Sequence, residues 1–495
     1  MEEKPPPGLR PPLQNSSVPR DFEPDPRDID KIRTWQQQRI EKKLRGEYES
    51  AVLHLSEVIN SNLTTPSQIS SVRIEGAHHT RPSFLKFLID RLIPPPSAEN
   101  DLESALHAAR HIADALQRTD IFAAVDAKLE RATAVLAAKH DVDLVFTTRE
   151  RGRFMMKTAT ELGNNEGSAS ILAQVRNVFG GAETFTANFS HGTTTKMAFN
   201  ATLTAPLTSN LNTYGEMHLF GHERDLSSFA SCKEGVRGAK ALVTRAPSRG
   251  MHEFAYEAVL RHIGGLKDEA SLSIREAAGQ TVKSSVSHTF QLDNRDDRLF
   301  PTRGFYLKTA HEIAGFGGDA AFMKSETHAQ MSRPLVPGVS VSLAARSGLL
   351  WGLNGRPTLF SDRFQLGGPS SIRSFRANSM GPRDNFYVAA ADSLGGEMYW
   401  SAGLSVISNV PRKPEWPIKT HAWVNAGRLD NVDKSRSLQD NVAACLSKPS
   451  VSAGVGLIYN FDPVRVEVNF GLPLIASKSD GSRRGFQVGI GLEFL

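Results

Sequence analysis

The sequence predicts a membrane all-β fold: an antiparallel transmembrane β-barrel of about sixteen strands, preceded by one small α+β domain. Three observations carry that expectation. Past residue 153, helical periodicity gives way to strand-length segments that alternate large apolar residues with small or polar ones. No run of about 18 apolar residues exists, which excludes ordinary transmembrane helices. Barrel strands remain allowed, because their lipid and lumen faces average to an ordinary composition, here 40% hydrophobic and 22% charged over 495 residues. Finally, Gly485 to Leu495 places Phe486, Val488, Ile490, Leu492 and Phe494 opposite Gln487, Gly489, Gly491 and Glu493. A strand of this kind with a bare edge would recruit another chain, so it needs a partner within the fold.

The alternation recurs along the barrel region. Val464, Val466, Val468 and Phe470 oppose Arg465, Glu467, Asn469 and Gly471. Met398, Trp400, Ala402, Leu404 and Val406 oppose Tyr399, Ser401, Gly403 and Ser405. Strand starts are expected near Phe154, Ser168, Glu183, Lys196, Asn212, Arg237, His252, Gln280, Gly304, Phe322, Ser340, Glu397, Lys419, Ser452, Val464 and Gly485. A β-sandwich can carry the same alternation. The strand number favours a barrel, as does the need to leave no edge in lipid, which the terminal strand meets by pairing with the first, Arg153 to Gly163.

Ahead of the barrel, residues 1–30 form a Pro-rich polar tail that reads as disordered. Residues 31–68 hold a charged helix and linker with Ile32, Trp35, Leu44, Val52, Leu55 and Ile59 as an intermittent stripe, a spacer or docking arm. Residues 69–150 read as the α+β domain, in the order β-α-α-β-β. Its second helix, within ENDLESALHAARHIADALQRTDIF, puts Leu102, Leu106, Ala109, Ile112 and Leu116 on one face. The barrel follows over 153–495.

Several function classes drop out. Cys232 and Cys445, far apart in loops, read as unpaired thiols and give no disulfide framework. The net charge of +5 is mild, and no Lys/Arg stripe with interleaved aromatics suggests nucleic acid. His78 and His79 lack a third ligand at workable spacing, so neither a metal nor a cofactor is expected. MHEFAY and AHEIAG start like a zinc motif without reaching H-E-x-x-H, and there is no Walker loop or G-x-S-x-G elbow, so the chain does not read as an enzyme. MEEKPPPGLRPPLQ has no basic n-region, apolar h-region or Arg-rich amphipathic helix, which fits arrival at a membrane from the cytosol.

Two stretches go beyond periodicity. DNRDDRLFPTRGFYLKTAHE, Asp293 to Glu312, resembles the signature strand-turn-strand of the outer-membrane β-barrel assembly superfamily, with Asp293, Arg295, Asp296, Pro301, Gly304 and Glu312 at matching positions. RFQLGGPSSIRSFRANSMGPRD, Arg363 to Asp384, resembles that superfamily's long loop, which folds back into the barrel. The arginine-bearing tip falls on Ile372, Arg373, Ser374 and Phe375, with Ser374 where the family has glycine. WVNAG is similar to the strand that meets this arginine, with Asn425 in place of an acid and Gly427 retained. Residues 69–149 look like a single polypeptide-transport-associated (POTRA-like) domain. Within the superfamily, the chain looks most like the central barrel subunit of the mitochondrial sorting and assembly machinery (SAM complex), in a fungal form.

That resemblance implies an insertase that folds and inserts β-barrel precursor proteins into the mitochondrial outer membrane by strand pairing. It implies a lateral gate with Phe154, Met156, Thr158 and Gly163 on one side and Gly485, Gln487, Gly489 and Gly491 on the other. Gly-rich strands are weakly specified in register, which suits a breakable seam. The chain end also carries the family's C-terminal substrate signal at Gln487, Gly489, Leu492 and Phe494. Arg373 is expected to donate to Asn425, a hydrogen bond in place of an ion pair. Implied partners are β-barrel precursors, accessory subunits of the SAM complex and membrane lipids, with no nucleic acid and no cofactor. The N-terminal domain would face the intermembrane space. The alternative is a passive pore or polypeptide-exporting barrel of the same superfamily, of plastid or bacterial type.

Overall fold

The computed structural model describes residues 29–44, 56, 58–95, 100–133, 137–138, 140–163, 166–247, 250–384, 392–410, 412–413, 415–461 and 464–491. Most of the expected tail, the later part of the charged helix, and Leu492 and Phe494 of the C-terminal signal lie outside the described residues. The chain divides into two compact units.

The first unit runs to Phe154 and includes the turns 175–184 and 205–211. It holds α1 (Ile29–Leu44), β1 (Gln68–Glu75), α2 (Pro82–Ile89), α3 (Leu102–Arg118), β2 (Phe122–Arg131) and β3 (Asp141–Glu150). The sheet order is β1-β3-β2, with β1 parallel and β2 antiparallel to β3. Pro82 opens α2, where a missing N–H costs nothing. A capping box between Asp101 and Ser104 opens α3. The innermost face of α3 is Ala105, Ala108, Ala109, Ile112, Ala113 and Leu116, while Leu102 and Leu106 are only half-buried. Alanines bring the helix axis closer to its neighbours than the expected leucine stripe would. Phe84, Leu88, Phe122, Leu144 and Phe146 complete this core. His79 is paired with Glu150, whose carboxylate accepts from its backbone N–H (3.1 Å), lies 2.7 Å from its Nδ1, and accepts from the Thr80 hydroxyl.

The second unit is a sixteen-stranded barrel sheet. Its strands are β4 (Phe154–Gly163), β5 (Glu166–Arg176), β6 (Thr184–Gly192), β7 (Thr195–Pro206), β8 (Thr213–Asp225), β9 (Lys233–Arg245), β10 (Met251–Gly264), β11 (Gly279–Asp293), β12 (Gly304–Gly318), β13 (Phe322–Val336) and β14 (Val339–Gly352). A long loop follows, carrying a 3-10 turn (Phe360–Asp362) and a two-stranded ribbon of β15 (Arg383–Asp384) and β16 (Asp392–Ser393). The sheet resumes with β17 (Met398–Asn409), β18 (Ile418–Asp430), β19 (Ser450–Phe461), β20 (Val464–Ile475) and β21 (Gly485–Gly491). Each strand neighbours the one before it in sequence, β17 pairing with β14 across the long loop. Short helices α4 (Leu272–Glu276) and α5 (Leu438–Ser447) sit in the loops after β10 and β18.

Every expected strand is present, and β9 departs most, starting at Lys233 instead of Arg237 because the glycines of KEGVRG hide its alternation. The outward faces carry exposed Met217, Leu219, Leu343, Val455, Leu457 and Phe486, a row that only hydrocarbon can cover at no cost. The lumen contains a packed cluster that includes Leu350, Phe364, Leu366, Ile372, Phe375, Met380, Tyr399 and Leu429, so the long loop fills space that an open barrel would leave to water. The expected closure by pairing of the last strand with the first is not seen among the described residues: no ladder there joins β4 to β21, and each ends the sheet with a single neighbour. β21 opens at Gly485, with φ +97, carries Gly485, Gly489 and Gly491, and runs to the last described residue.

Candidate functional site

The long loop delivers its tip against the inner wall of the last strands. Ile372, Arg373 and Phe375 are fully buried and Ser374 nearly so. Arg373 donates from Nε and Nη2 to the two oxygens of Glu467 at 3.0 and 3.2 Å, and from Nη1 to Asn425 Oδ1 at 3.1 Å. Its guanidinium lies 5.4 Å from the Trp423 ring, and its carbonyl accepts from Ser452 Oγ at 2.6 Å. The expected contact to Asn425 is therefore present, but the expectation of a neutral hydrogen bond alone is corrected. The acid missing at position 425 is supplied by Glu467, two strands further along the sheet, and the contact is a bidentate ion pair.

Glu467 serves a wider cluster. It pairs with Arg465 and accepts from Asn469 Nδ2 at 2.9 Å. Asn469 Oδ1 in turn accepts from Trp423 Nε1 at 3.1 Å and lies 2.7 Å from His421 Nε2. One carboxylate thus holds two guanidiniums in a buried site, where each charge is compensated by an ion pair and hydrogen bonds. The pattern follows from β20, whose lumen face is Arg465, Glu467, Asn469 and Gly471.

Ser374 adopts φ +65, so the tip keeps the left-handed turn that the family's glycine would favour, at about 1–2 kcal/mol for an L side chain. Its N–H donates to Gln487 Oε1 at 3.0 Å, and Gln487 Nε2 donates to the Phe375 carbonyl at 3.1 Å. Arg483 N–H donates to the Ser374 carbonyl and Arg376 N–H to the Gly481 carbonyl, each at 2.8 Å. The tip is thereby laced to β21 and to the turn before it. A Cβ on Gly427 would overlap Ile372, and one on Gly471 would overlap Ser374 Oγ, so both glycines make room for the tip.

The loop is also tied to the other side of the lumen. Asp362 accepts from Arg261 Nη2 at 2.8 Å. Asp392 accepts from Ser231 N–H, Ser231 Oγ and Ser271 N–H, and Asp384 accepts from Ser273. At the opposite rim, the turn 294–303 folds inward. Asp297 accepts from the N–H groups of Leu299 and Phe300, and Asp296 from those of Thr302 and Arg303. Phe300 packs on Ile407 and Ile458, with Lys419 and Arg465 5.0 and 5.5 Å from its ring, and Arg465 Nη1 donates to the Leu299 carbonyl at 3.1 Å.

Of the expected gate residues, the structure brings Gln487 to the loop tip, with Gly485, Gly489 and Gly491 opposite Gly471, Glu467 and Arg465 on β20. Phe154, Met156 and Thr158 are exposed along β4, and Gly163 ends that strand. No ladder among the described residues brings them to β21. Sequence reading missed Glu467, Arg465 and Phe300. The signal for the first two was present as paired opposite charges on the polar face of an otherwise valine-rich strand. Among the described residues, no group of three metal-binding side chains comes together.

The fold and the sequence both match known proteins. The Omp85 superfamily domain matches residues 177–494. A SAM50-like protein of Schizosaccharomyces pombe is 33% identical over 456 residues, spanning 90% of this chain and 95% of that protein. The human sorting and assembly machinery component 50 homolog is 30% identical over 396 residues, spanning 79% and 82%. Among solved structures, BamA from Haemophilus ducreyi lacking POTRA domains 1–3 has the same fold, with a TM-score of 0.72 at 18% identity over 85% of this chain and 84% of that one. With a superfamily match across the barrel and 33% identity to a fungal homologue along nearly its whole length, this chain belongs to the Omp85 superfamily and, within it, to the sorting and assembly machinery component 50 homologues.

Proposed function

We propose that this chain is a β-barrel assembly factor of the mitochondrial outer membrane that inserts precursor barrels by strand pairing at the join between β4 and β21. The observation that carries this reading is the contrast at the two ends of the sheet. β21 is glycine-rich, is held from the lumen by the Ser374–Gln487 contact, and shares no ladder with β4 among the described residues. An incoming strand can take backbone bonds at such a seam without leaving bare amides in lipid. Phe154, Met156, Thr158 and Gly163 form one side of the seam, and Gly485, Gln487, Gly489 and Gly491 form the other. Arg373, paired with Glu467 and Asn425, sets the loop tip that steadies β21. Gln487, Gly489, Leu492 and Phe494 repeat the signal read on precursors. The N-terminal unit faces the intermembrane space, accessory subunits of the SAM complex complete the machine, and the work needs neither catalysis nor a cofactor.

The buried loop tip favours this role over a passive or exporting pore, because it occupies the lumen that a conduit would keep open. The test is disulfide capture in mitochondria. Thr158→Cys and Gly489→Cys are placed separately in a chain with Cys232→Ser and Cys445→Ser, and a barrel precursor with cysteines in its last strand is imported. Adducts at both positions are expected during assembly. A precursor that assembles without ever being captured at either strand overturns the proposal.

A further inference from the structure

The outer wall beneath α5 carries a groove. Ser325 lies opposite Leu349 and Leu349 opposite Met398; one step along, Thr327 lies opposite Ser347 and Ser347 opposite Trp400. These rows share outward parity with Leu343 and Leu404, which stand 53% and 45% exposed in the lipid-facing belt. Here the belt drops to two serines and a threonine, and the next row, Ala329, Ala345 and Ala402, is small as well, which leaves a trough that ends at the large row of Met331, Leu343 and Leu404.

α5 closes the trough from the side. Ser437 caps the helix, and Asn441, 5% exposed, accepts from Asp433 N–H and donates to the carbonyls of Asp433 and Ser437. Cys445 packs with Met398 and Val432, and Trp400 Nε1 donates to the Cys445 carbonyl at 3.0 Å. Leu438, Val442 and Leu446 follow one another at one-turn spacing, border the groove, and remain 45%, 41% and 54% exposed. The groove has a volume of about 300 Å³.

An apolar ridge left in water is unfavourable in proportion to the apolar area it exposes. This helix packs through Cys445 on Met398, beside Leu349 and Trp400 of the outward strand faces. The trough continues into the exposed apolar belt, so the acyl chains that meet the belt also meet the trough.

We propose that the groove between α5 and the outward faces of β13, β14 and β17 is a binding site for one acyl chain of a phospholipid, drawn from the leaflet at the α5 rim. The bound chain fills space that belt side chains fill elsewhere and covers the apolar ridge of α5. It makes this lipid slower to exchange than its neighbours along the wall.

The experiment uses the full chain purified in mild detergent and examined by native mass spectrometry for retained phosphatidylcholine. Ser347→Trp fills the trough without touching the lumen, and Leu219→Trp adds bulk to the belt on β8, away from the groove. The native chain and the Leu219→Trp control are expected to keep one lipid. The Ser347→Trp chain should retain about ten-fold less, the loss expected when burial of about two methylene groups is forfeited. Heat-modifiable migration on cold SDS gels confirms that each variant is folded. Equal retention by all three folded proteins overturns the proposal. So does a photo-crosslinker at Val442 that labels a polypeptide in native membranes instead of phospholipid.

Discussion

At the scale of single residues, the decisive fact is the excess of positive charge around Glu467. Two guanidiniums, Arg373 and Arg465, share one carboxylate in a buried site, while Asn425 adds a neutral acceptor where an acid would have balanced the count. Removing the carboxylate leaves both cations without compensation, whereas removing Asn425 takes away one hydrogen bond of several. Glu467→Gln should therefore destabilise the barrel by about 3–5 kcal/mol and Asn425→Ala by about 1.5–3 kcal/mol. The temperature at which each folded form disappears from a cold SDS gel series orders the two. If Asn425→Ala proves at least as damaging as Glu467→Gln, the assignment of Glu467 as the main partner fails.

At the scale of elements, the turn 294–303 is an inward strut and not merely a polar hairpin. Asp296 and Asp297 bind its N–H groups and so fix the loop that presents Phe300. Phe300 then wedges between Ile407 of β17 and Ile458 of β19, beside Arg465 of β20. Phe300→Ala should cost about 3–5 kcal/mol and Phe300→Leu less than half of that. Hydrogen exchange is expected to speed up first at the ends of β17 to β20 near this turn, with β8 to β10 unchanged. Uniform acceleration around the whole sheet would show that the wedge has no special hold on these strands.

At the scale of the whole molecule, the loops at the α5 rim act as packed covers. Cys232 lies in a cluster with Ala230, Ile263, Ile274 and Phe360, and Cys445 lies on the buried face of α5 against Met398 and Val432. Burial pushes both thiols up to about 12, with nearby carboxylates adding to the effect. The reactive thiolate then appears only near that pH, so a rise from about pH 7 to about pH 9 leaves almost none, whereas a free thiol near 8.5 would be largely ionised. Maleimide labelling of the native barrel should stay slow across that range and become fast after heating in SDS. Rapid labelling of the folded protein that increases from pH 7 to pH 9 would mean that these covers are open.

Strand number, strand boundaries and the two faces of the barrel were legible in the linear order of residues, because a period of two is a local property that each segment carries alone. The β-α-α-β-β order of the first unit was legible for the same reason, resting on local periodicity and breakers within a few residues, whereas the loop tip was found through its resemblance to the superfamily's motif. Partners across the lumen were not legible. Arg373 and Glu467 are 94 positions apart, and their meeting depends on the summed register of several ladders and on how far a 45-residue excursion reaches inward. The choice of alanines over leucines on α3 and the wedge at Phe300 have the same origin. Alternation tells which way a side chain faces, but only the packed sheet settles what stands opposite it.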